Sequence, residues 1–142
     1  MAIKKTGSAV WTGNLKEGKG KVSTQTGVLS DQPYGFKTRF EGETGTNPEE
    51  LVGAAHAACF SMALSMVLEG HDLVADSIET KATVHLEQKD GGFHIPKIHL
   101  DVSAKIPGAD EATFMEAANT AKENCPISTL VTAEVTMDAK LV

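Results

Sequence analysis

The chain has 142 residues, 41% of them apolar, which suits a single domain over residues 1–142 with a hydrophobic core. Its net charge is −6 and its longest basic cluster is Lys4-Lys5, which argues against nucleic acid or an anionic membrane as partner. The N-terminus has no apolar signal core, so we expect a cytoplasmic protein. In a reducing cytoplasm, its two cysteines favour redox-active, catalytic or structural thiols over a permanent disulfide.

Three strands are predicted before the first long helix. Residues 8–12 and 21–25 flank a glycine-containing turn, and residues 34–41 alternate between aromatic and charged side chains. The arginine of this third strand would lie on the face opposite to its aromatic side chains. The three strands are too few, and too polar on one face, to close a core alone. We therefore expect an intimate dimer.

A long apolar helix is predicted next. Asn47 can cap it, Pro48 suits its first position, Glu50 can complete a capping box, and Gly70 ends it. Residues 51–68 carry no Asp, Glu, Lys or Arg, so the helix is expected to be central and buried. Its length is borderline for a bilayer span, but its many small residues make it too weakly apolar for one.

The second half of the chain completes an α+β pattern. Strong alternation predicts two strands joined by a hairpin, and Pro96 marks an edge or a bulge in the second of them. The predicted order is β-β-β-α-β-β-α-β, with antiparallel sheets around the central helix. The later elements are strands at 77–87 and 93–106, a helix at 110–123, a short helix opening at Pro126, and a strand at 133–141.

The two cysteines lie far apart in the sequence. Cys59 is inside the apolar helix, whereas Cys125 precedes a proline where a helix should end. Buried cysteines are often only small hydrophobes, and composition leaves that interpretation open. The alternative is a thiol pair that folding brings together.

A lone arginine could supply a positive charge to such a pair. Arg39 is the only arginine in the chain, and its planar guanidinium binds a carboxylate bidentately. Glu49 lies ten residues before Cys59, about 15 Å along an ideal helix axis, which is too far for a direct base. If Glu49 holds Arg39, that charge would lower the thiol pKa below about 8.5. Alternatively, Arg39 is an exposed strand residue.

Other chemical sites have weaker signals. His56, three residues before Cys59, could be its base in a hydrolase, although such a histidine is more often a core residue. The histidines and cysteines do not have the spacing of a zinc site, and no glycine-rich phosphate loop occurs. Met62 and Met66 are interpreted as core filling. We therefore expect no metal and no bound cofactor.

Several segments together resemble the osmotically inducible protein C (OsmC) family over essentially the whole chain. They are Gly27-Val-Leu29, Gln32-Pro-Tyr-Gly-Phe36, Arg39-Phe-Glu-Gly42, residues 46–65, which contain Asn47-Pro-Glu49 and Cys59, and Cys125-Pro-Ile-Ser128.

The resemblance implies an intertwined homodimer and a thiol peroxidase that acts on organic hydroperoxides. Cys59 matches the peroxidatic cysteine, Cys125 the resolving cysteine and Glu49 the acidic residue of the family. The related organic-hydroperoxide-resistance branch has an arginine in the first hairpin, where this chain reads Glu17-Gly-Lys19. Arg39 is therefore expected to take that role, with the hairpin lysines Lys16, Lys19 and Lys21 as alternatives.

Three functional hypotheses follow. In the first, Cys59 becomes a sulfenic acid, Cys125 forms a disulfide with it, and an external dithiol, on the resemblance a lipoylated protein, reduces that disulfide. Apolar lining would favour bulky hydroperoxides: Phe36, Phe40, Phe60, Met62 and Met66. The second is a hydrolase or acyltransferase that uses Cys59 and His56. The third is a binding or stress-structural dimer with inert thiols.

Overall fold

The computed structural model describes residues 1–142 as two compact units, Met1–Leu51 and Val52–Val142. The α+β class is confirmed, whereas a single domain over 1–142 stays a prediction. The elements are β1 (Gly7–Thr12), β2 (Lys19–Thr24), β3 (Gln32–Tyr34), α1 (Phe36–Phe40), α2 (Pro48–Glu69), β4 (Ser77–Lys89), β5 (Gly92–Lys105), α3 (Glu111–Asn124), α4 (Pro126–Leu130) and β6 (Glu134–Leu141).

The first unit is built on a small antiparallel sheet with β2 in the middle. Trp11 and Tyr34, on the two outer strands, pack their rings at a centroid distance of 5.6 Å. Every residue of β1 is exposed, and the buried hydrophobic core contains no residue from this unit. The sheet therefore has no core of its own.

The predicted third strand at 34–41 is wrong for most of its length. Strand β3 ends at Tyr34, and the following residues form the short helix α1. The Thr38 side chain stabilises the first turn of this helix, because its hydroxyl accepts from the Gly35 N–H at 2.8 Å and donates to the Gly35 carbonyl at 3.0 Å. Phe36 and Phe40, with ring centroids 4.9 Å apart, share a helix face just as they would share a strand face. A spacing of four residues fits both the helical and the strand periodicity, which explains why a strand was predicted where a helix forms.

The second unit contains the sheet β4-β5-β6. Strands β4 and β5 form the predicted antiparallel hairpin. The register shifts between His85 and Glu87, so Ile95 and Pro96 oppose a single residue, and Pro96 occupies a bulge as expected. Strand β6 pairs with β5 in parallel, which corrects the expectation of antiparallel sheets. Parallel pairing requires a crossover, and α3 and α4 supply it.

Helix α2 is less buried than the sequence suggested. Its buried residues follow one stripe, which Gly53, His56, Phe60, Leu64 and Leu68 form. By length and composition α2 could cross a membrane, but the core helix of a soluble protein meets the same criterion. The prediction that Met62 and Met66 fill the core is wrong for the single chain, because they are 74% and 68% exposed.

Two contacts fix α2 against β4. A Cβ added to Gly53 would lie 3.2 Å from the Ala82 carbonyl oxygen, so the helix backbone approaches the strand closely there. Two turns further along, the hydroxyl oxygens of Ser61 and Thr80 lie 2.7 Å apart. These contacts determine which side of α2 meets the rest of the second unit.

Helix α3 completes the core of the second unit. Its predicted inward face is confirmed, because Phe114, Ala117, Ala118 and Ala121 are all buried. The Asp110 carboxylate caps the helix by accepting from the Thr113 N–H at 2.7 Å, and that hydrogen bond lowers the pKa of Asp110.

Candidate functional site

The fold brings the two cysteines together, although 65 residues separate them in the chain. The Cys59 and Cys125 thiols lie within hydrogen-bonding reach of each other, and both are free. Cys125 is fully buried, whereas Cys59 is only partly buried. Cys59 is therefore the more accessible of the two sulfurs.

A proline fixes the position of Cys125. Pro126 disfavours helical backbone at the preceding residue, and Cys125 has φ −59° and ψ 134°. Cys125 thus ends α3 and also caps α4, with Pro126 at the first helical position. Its sulfur is turned back toward α4, where it accepts from the Ser128 N–H at 3.4 Å.

The two thiols have different pKa directions. Burial raises the pKa of Cys59, and the neighbouring Cys125 raises it further, against the lowering effect of the Ile127 N–H. Burial also disfavours the Cys125 thiolate, but hydrogen bonds from the Ser128 hydroxyl and N–H, from Cys59 and from the Ile127 N–H outweigh it. These bonds lower the pKa of Cys125. No positive charge is among the causes acting on either thiol.

His56 does not serve Cys59 as a base in this structure. Its Nε2 atom lies 2.8 Å from the Ser128 hydroxyl, and no hydrogen bond joins it to Cys59. The ring is fully buried, and Nδ1 has no hydrogen-bond partner. Burial lowers the pKa of His56, so the ring is held neutral. Sequence reasoning missed Ser128 as its partner, although Ser128 follows Cys125 at the same spacing of three that separates His56 from Cys59.

The predicted pair of Arg39 and Glu49 is present in the first unit. Arg39 Nη2 donates to Glu49 Oε1 at 2.6 Å, and Arg39 Nε donates to Oε1 and Oε2 at 3.0 and 3.2 Å. The Arg39 side chain is 36% exposed and the Glu49 side chain 12%. Arg39 also lies over the Phe40 ring at 5.3 Å from its centroid. Arg39 is therefore held in one place, on a helix instead of the expected strand.

An apolar pocket of about 260 Å³ adjoins Arg39 within the first unit. Phe36 and Phe40, two of the five residues expected to line a substrate site, are part of its wall. Of the other three, Phe60 is fully buried and the two methionines of α2 are exposed. The other wall residues are Trp11, Leu15, Tyr34, Gly35 and Pro48.

One cluster of side chains has the composition of a metal site. His99 Nε2 lies 3.1 Å from Asp138 Oδ2 and 3.4 Å from Asp101 Oδ1. The sequence alone does not reveal this cluster, because Asp101 and Asp138 become neighbours only through the pairing of β5 with β6. Both carboxylates are well exposed, at 54% and 83%, as in an ordinary surface cluster.

Comparison with known proteins places these features in a family. Residues 40–140 match the family model described as OsmC-like protein. The chain belongs to the OsmC family. It is 55% identical to Peroxiredoxin OsmC of Escherichia coli (strain K12) over 141 residues, which cover 99% of both chains. It is also 35% identical to the organic hydroperoxide resistance protein OhrB of Bacillus subtilis (strain 168), over 86% of this chain and 87% of OhrB.

Solved structures confirm the OsmC-like fold. The crystal structure of OhrB from Bacillus subtilis superposes with a TM-score of 0.69 at 30% identity, and the alignment covers 96% of this chain and 98% of OhrB. An OsmC-like protein from Mycoplasma pneumoniae gives a TM-score of 0.77 over 100% of this chain and 99% of that protein, at 16% identity, which supports the fold alone.

The buried position of His56 leads to a stability prediction. We expect His56→Ala to lower the free energy of unfolding by about 1–3 kcal/mol, because it leaves a cavity and removes the buried hydrogen bond between the ring and the Ser128 hydroxyl. The exposed His71→Ala is the matched control and should change little. Chemical denaturation of both variants measures the difference.

The pH dependence of stability provides a second readout for the same variant. The unfolded chain binds a proton at His56 near pH 6.5, whereas the lowered pKa keeps the folded ring neutral there. The free energy of unfolding should therefore fall as the pH drops below about 6.5, and His56→Ala should reduce this fall. At unchanged stability, a loss of Cys59 reactivity as complete as that of Cys59→Ser would instead favour the hydrolase hypothesis, whereas slower disulfide formation alone would not.

Proposed function

We propose that this OsmC-family chain is a thiol peroxidase that reduces organic hydroperoxides to alcohols in oxidative or osmotic stress defence. The observation that carries the proposal is the meeting of Cys59 and Cys125, two free thiols that can form a disulfide. The names of the relatives, a peroxiredoxin and an organic hydroperoxide resistance protein, agree with this chemistry.

The reaction has two steps within the chain. The Cys59 thiolate attacks the distal peroxide oxygen, the O–O bond breaks, and the alkoxide leaves and takes a proton to become the alcohol. Cys59 is then a sulfenic acid. The Cys125 sulfur attacks the Cys59 sulfur, the S–S bond forms, and the sulfenic oxygen leaves as water. The greater accessibility of Cys59 supports its assignment to the first step.

Arg39 is proposed as the cation that activates Cys59. Burial raises the pKa of Cys59, so a thiolate at neutral pH needs a positive charge, and neither group that interacts with its sulfur, Ile127 or Cys125, carries one. Glu49 fixes the Arg39 guanidinium, which would stabilise the thiolate and the developing alkoxide. The apolar pocket beside Arg39 would receive the organic part of a bulky hydroperoxide.

The proposal places the enzyme in the cytoplasm, where an external dithiol reduces the Cys59–Cys125 disulfide. A lipoylated protein is the dithiol that the family resemblance implies. Each turnover consumes two electrons, which the external dithiol supplies to the Cys59–Cys125 disulfide. Because the cysteines and this reductant carry all the electrons, the proposed reaction requires no bound cofactor. Coupled turnover with a lipoylated protein, compared with the same protein lacking lipoate, tests this part.

The hydrolase and inert-thiol hypotheses give different results in a thiol titration. One equivalent of an organic hydroperoxide should remove both thiols of the peroxidase at once. A hydrolase would show no coupled loss of Cys125, and inert thiols would both remain. Retention of both thiols would therefore exclude the proposed function.

We also propose that the protein is a homodimer. The first unit has no buried hydrophobic core, and α2 exposes Met62 and Met66. Exposed apolar surface of this kind marks an interface, and we expect a second copy of the chain to cover it. Sedimentation should find a dimer, and Met62→Glu with Met66→Glu should shift it toward monomer because each places a charge at the interface. A monomer in the unmutated protein would contradict the assignment.

The two cysteines should give different mutant behaviour. Cys59→Ser should abolish hydroperoxide turnover, because the oxidised atom is lost. Cys125→Ser should allow one oxidation and then stall with Cys59 as sulfenic acid, which a sulfenic-acid trapping reagent and mass spectrometry would detect. Equal residual turnover in the two variants would remove the assigned roles.

Removal of Arg39 should raise the pKa of Cys59. The measurement is the pH dependence of Cys59 alkylation in a Cys125→Ser background. Arg39→Ala should shift the profile toward higher pH, at about 1.4 kcal/mol for each pH unit. Arg39→Lys should recover only part of the effect because it keeps the charge but lacks the planar fork. Glu49→Gln should give a weaker version of the Arg39→Ala profile.

The control for this series is Lys37→Ala, which removes an exposed positive charge from the same short helix. It should leave the alkylation profile unchanged. If Arg39→Ala also leaves it unchanged, Arg39 is only a surface residue. The activating charge would then have to be sought among Lys16, Lys19 and Lys21.

A further inference from the structure

Two pairs of residues with the same spacing face each other in the second unit. Helix α2 presents His56 and Cys59, which are three residues apart and thus neighbours on the helix surface. The α4 segment presents Cys125 and Ser128, also three apart. The structure matches them pairwise, His56 with Ser128 at 2.8 Å and the Cys59 thiol with the Cys125 thiol.

The two pairs are linked through the Ser128 hydroxyl. This hydroxyl donates to the Cys125 sulfur at 3.5 Å and also contacts His56 Nε2. A hydroxyl has one proton, so when it donates to sulfur it must accept from the histidine. Nε2 then carries the ring proton, and the unpartnered Nδ1 is left with a lone pair.

The opposite proton arrangement is less favourable. If Ser128 donated to Nε2, the neutral ring would carry its proton on Nδ1, which would be a buried N–H without an acceptor. Orphaned N–H groups are the rarer defect in protein interiors, and they are costly to bury. The favoured direction of donation therefore runs from His56 through Ser128 to Cys125.

We propose that His56 and Ser128 are positioning residues for disulfide formation, and that they act as a chain of donors which holds Cys125 as a thiolate aimed at oxidised Cys59. The proposal rests on the proposed peroxidase function. The groups that face the Cys125 sulfur are Cys59 from α2, and the Ser128 hydroxyl, Ser128 N–H and Ile127 N–H from α4. No charged side chain is among them, so neutral donors must stabilise the thiolate.

The step that this chain assists is balanced without a further reactant. The Cys125 proton leaves for solvent when the thiolate forms. The thiolate attacks the Cys59 sulfur of the sulfenic acid, the S–S bond forms and the S–O bond breaks. The departing hydroxide takes up a proton, so water is the product and the two electrons come from the Cys125 sulfur.

Single-turnover kinetics with tert-butyl hydroperoxide test the proposal. In Ser128→Ala, disulfide formation should slow at least tenfold, a change of about 1.4 kcal/mol or more, because a hydrogen bond to a charged sulfur is lost. Sulfenic acid at Cys59 should then accumulate and become trappable, while its rate of formation changes much less. Ser128→Thr keeps the hydroxyl and should restore disulfide formation. His56→Gln keeps a side-chain donor and should retain more of the rate than His56→Leu.

The matched control is Thr129→Ala, which removes the neighbouring hydroxyl that bonds the Pro126 carbonyl. It should leave both steps unchanged. Unchanged disulfide formation in Ser128→Ala would overturn the proposal, and so would equal rates in His56→Gln and His56→Leu when both fold. The Ser128 variants keep the test valid even if the His56 variants unfold.

A second measurement does not depend on peroxidase activity. In a Cys59→Ser background, ultraviolet absorbance of the Cys125 thiolate followed against pH gives its pKa without any reagent. Ser128→Ala should raise that pKa, and Ser128→Thr should restore it. If the unmutated protein forms no sulfenic acid while this shift is seen, the proposed function fails and the donor chain stands. An unchanged pKa in Ser128→Ala overturns the donor chain.

Discussion

The backbone conformation that Pro126 imposes on Cys125 is the constraint on which the thiol site depends. A helix cannot continue easily through the residue before a proline, so α3 ends and Cys125 adopts an extended conformation. The same residue then caps the next short helix, and its sulfur meets two N–H groups of that helix. A side chain in the middle of a continuous helix could not receive these donors, because they would bond helix carbonyls instead.

The apolar character of α2 serves two different purposes. One stripe packs into the core of the second unit and places His56 and Cys59 beside α4. The remaining surface is also apolar but exposed in the single chain, as Met62 and Met66 demonstrate. A helix that is hydrophobic on all sides needs cover on all sides, and the second unit provides only part of it. This explains why the sequence alone suggested complete burial.

Local signals predicted most elements but not those that depend on distant partners. The N-terminal cap of α2, where the Asn47 side chain accepts from the Glu50 N–H at 2.8 Å, could be read from nearby residues. So could the hairpin of β4 and β5 and the inward face of α3. The α1 segment was misread because Phe36 and Phe40 satisfy both periods. The parallel pairing of β6 depends on a crossover that no local pattern specifies. At the site, charge chemistry predicted Arg39 with Glu49, whereas the contact of His56 with Ser128 arises only from folding.

The large separation of the two cysteines along the chain couples redox state to folding. A bond between Cys59 and Cys125 would close a loop of roughly 65 residues that contains all of β4, β5 and α3. Cross-linking a loop of this length restricts the unfolded chain and stabilises the folded one by about 4 kcal/mol on the loop-entropy model. By thermodynamic linkage, folding must favour the oxidised form by the same amount. Reduction of the disulfide must therefore also overcome the free energy by which folding favours the oxidised form. Only a strongly reducing dithiol would drive the cycle.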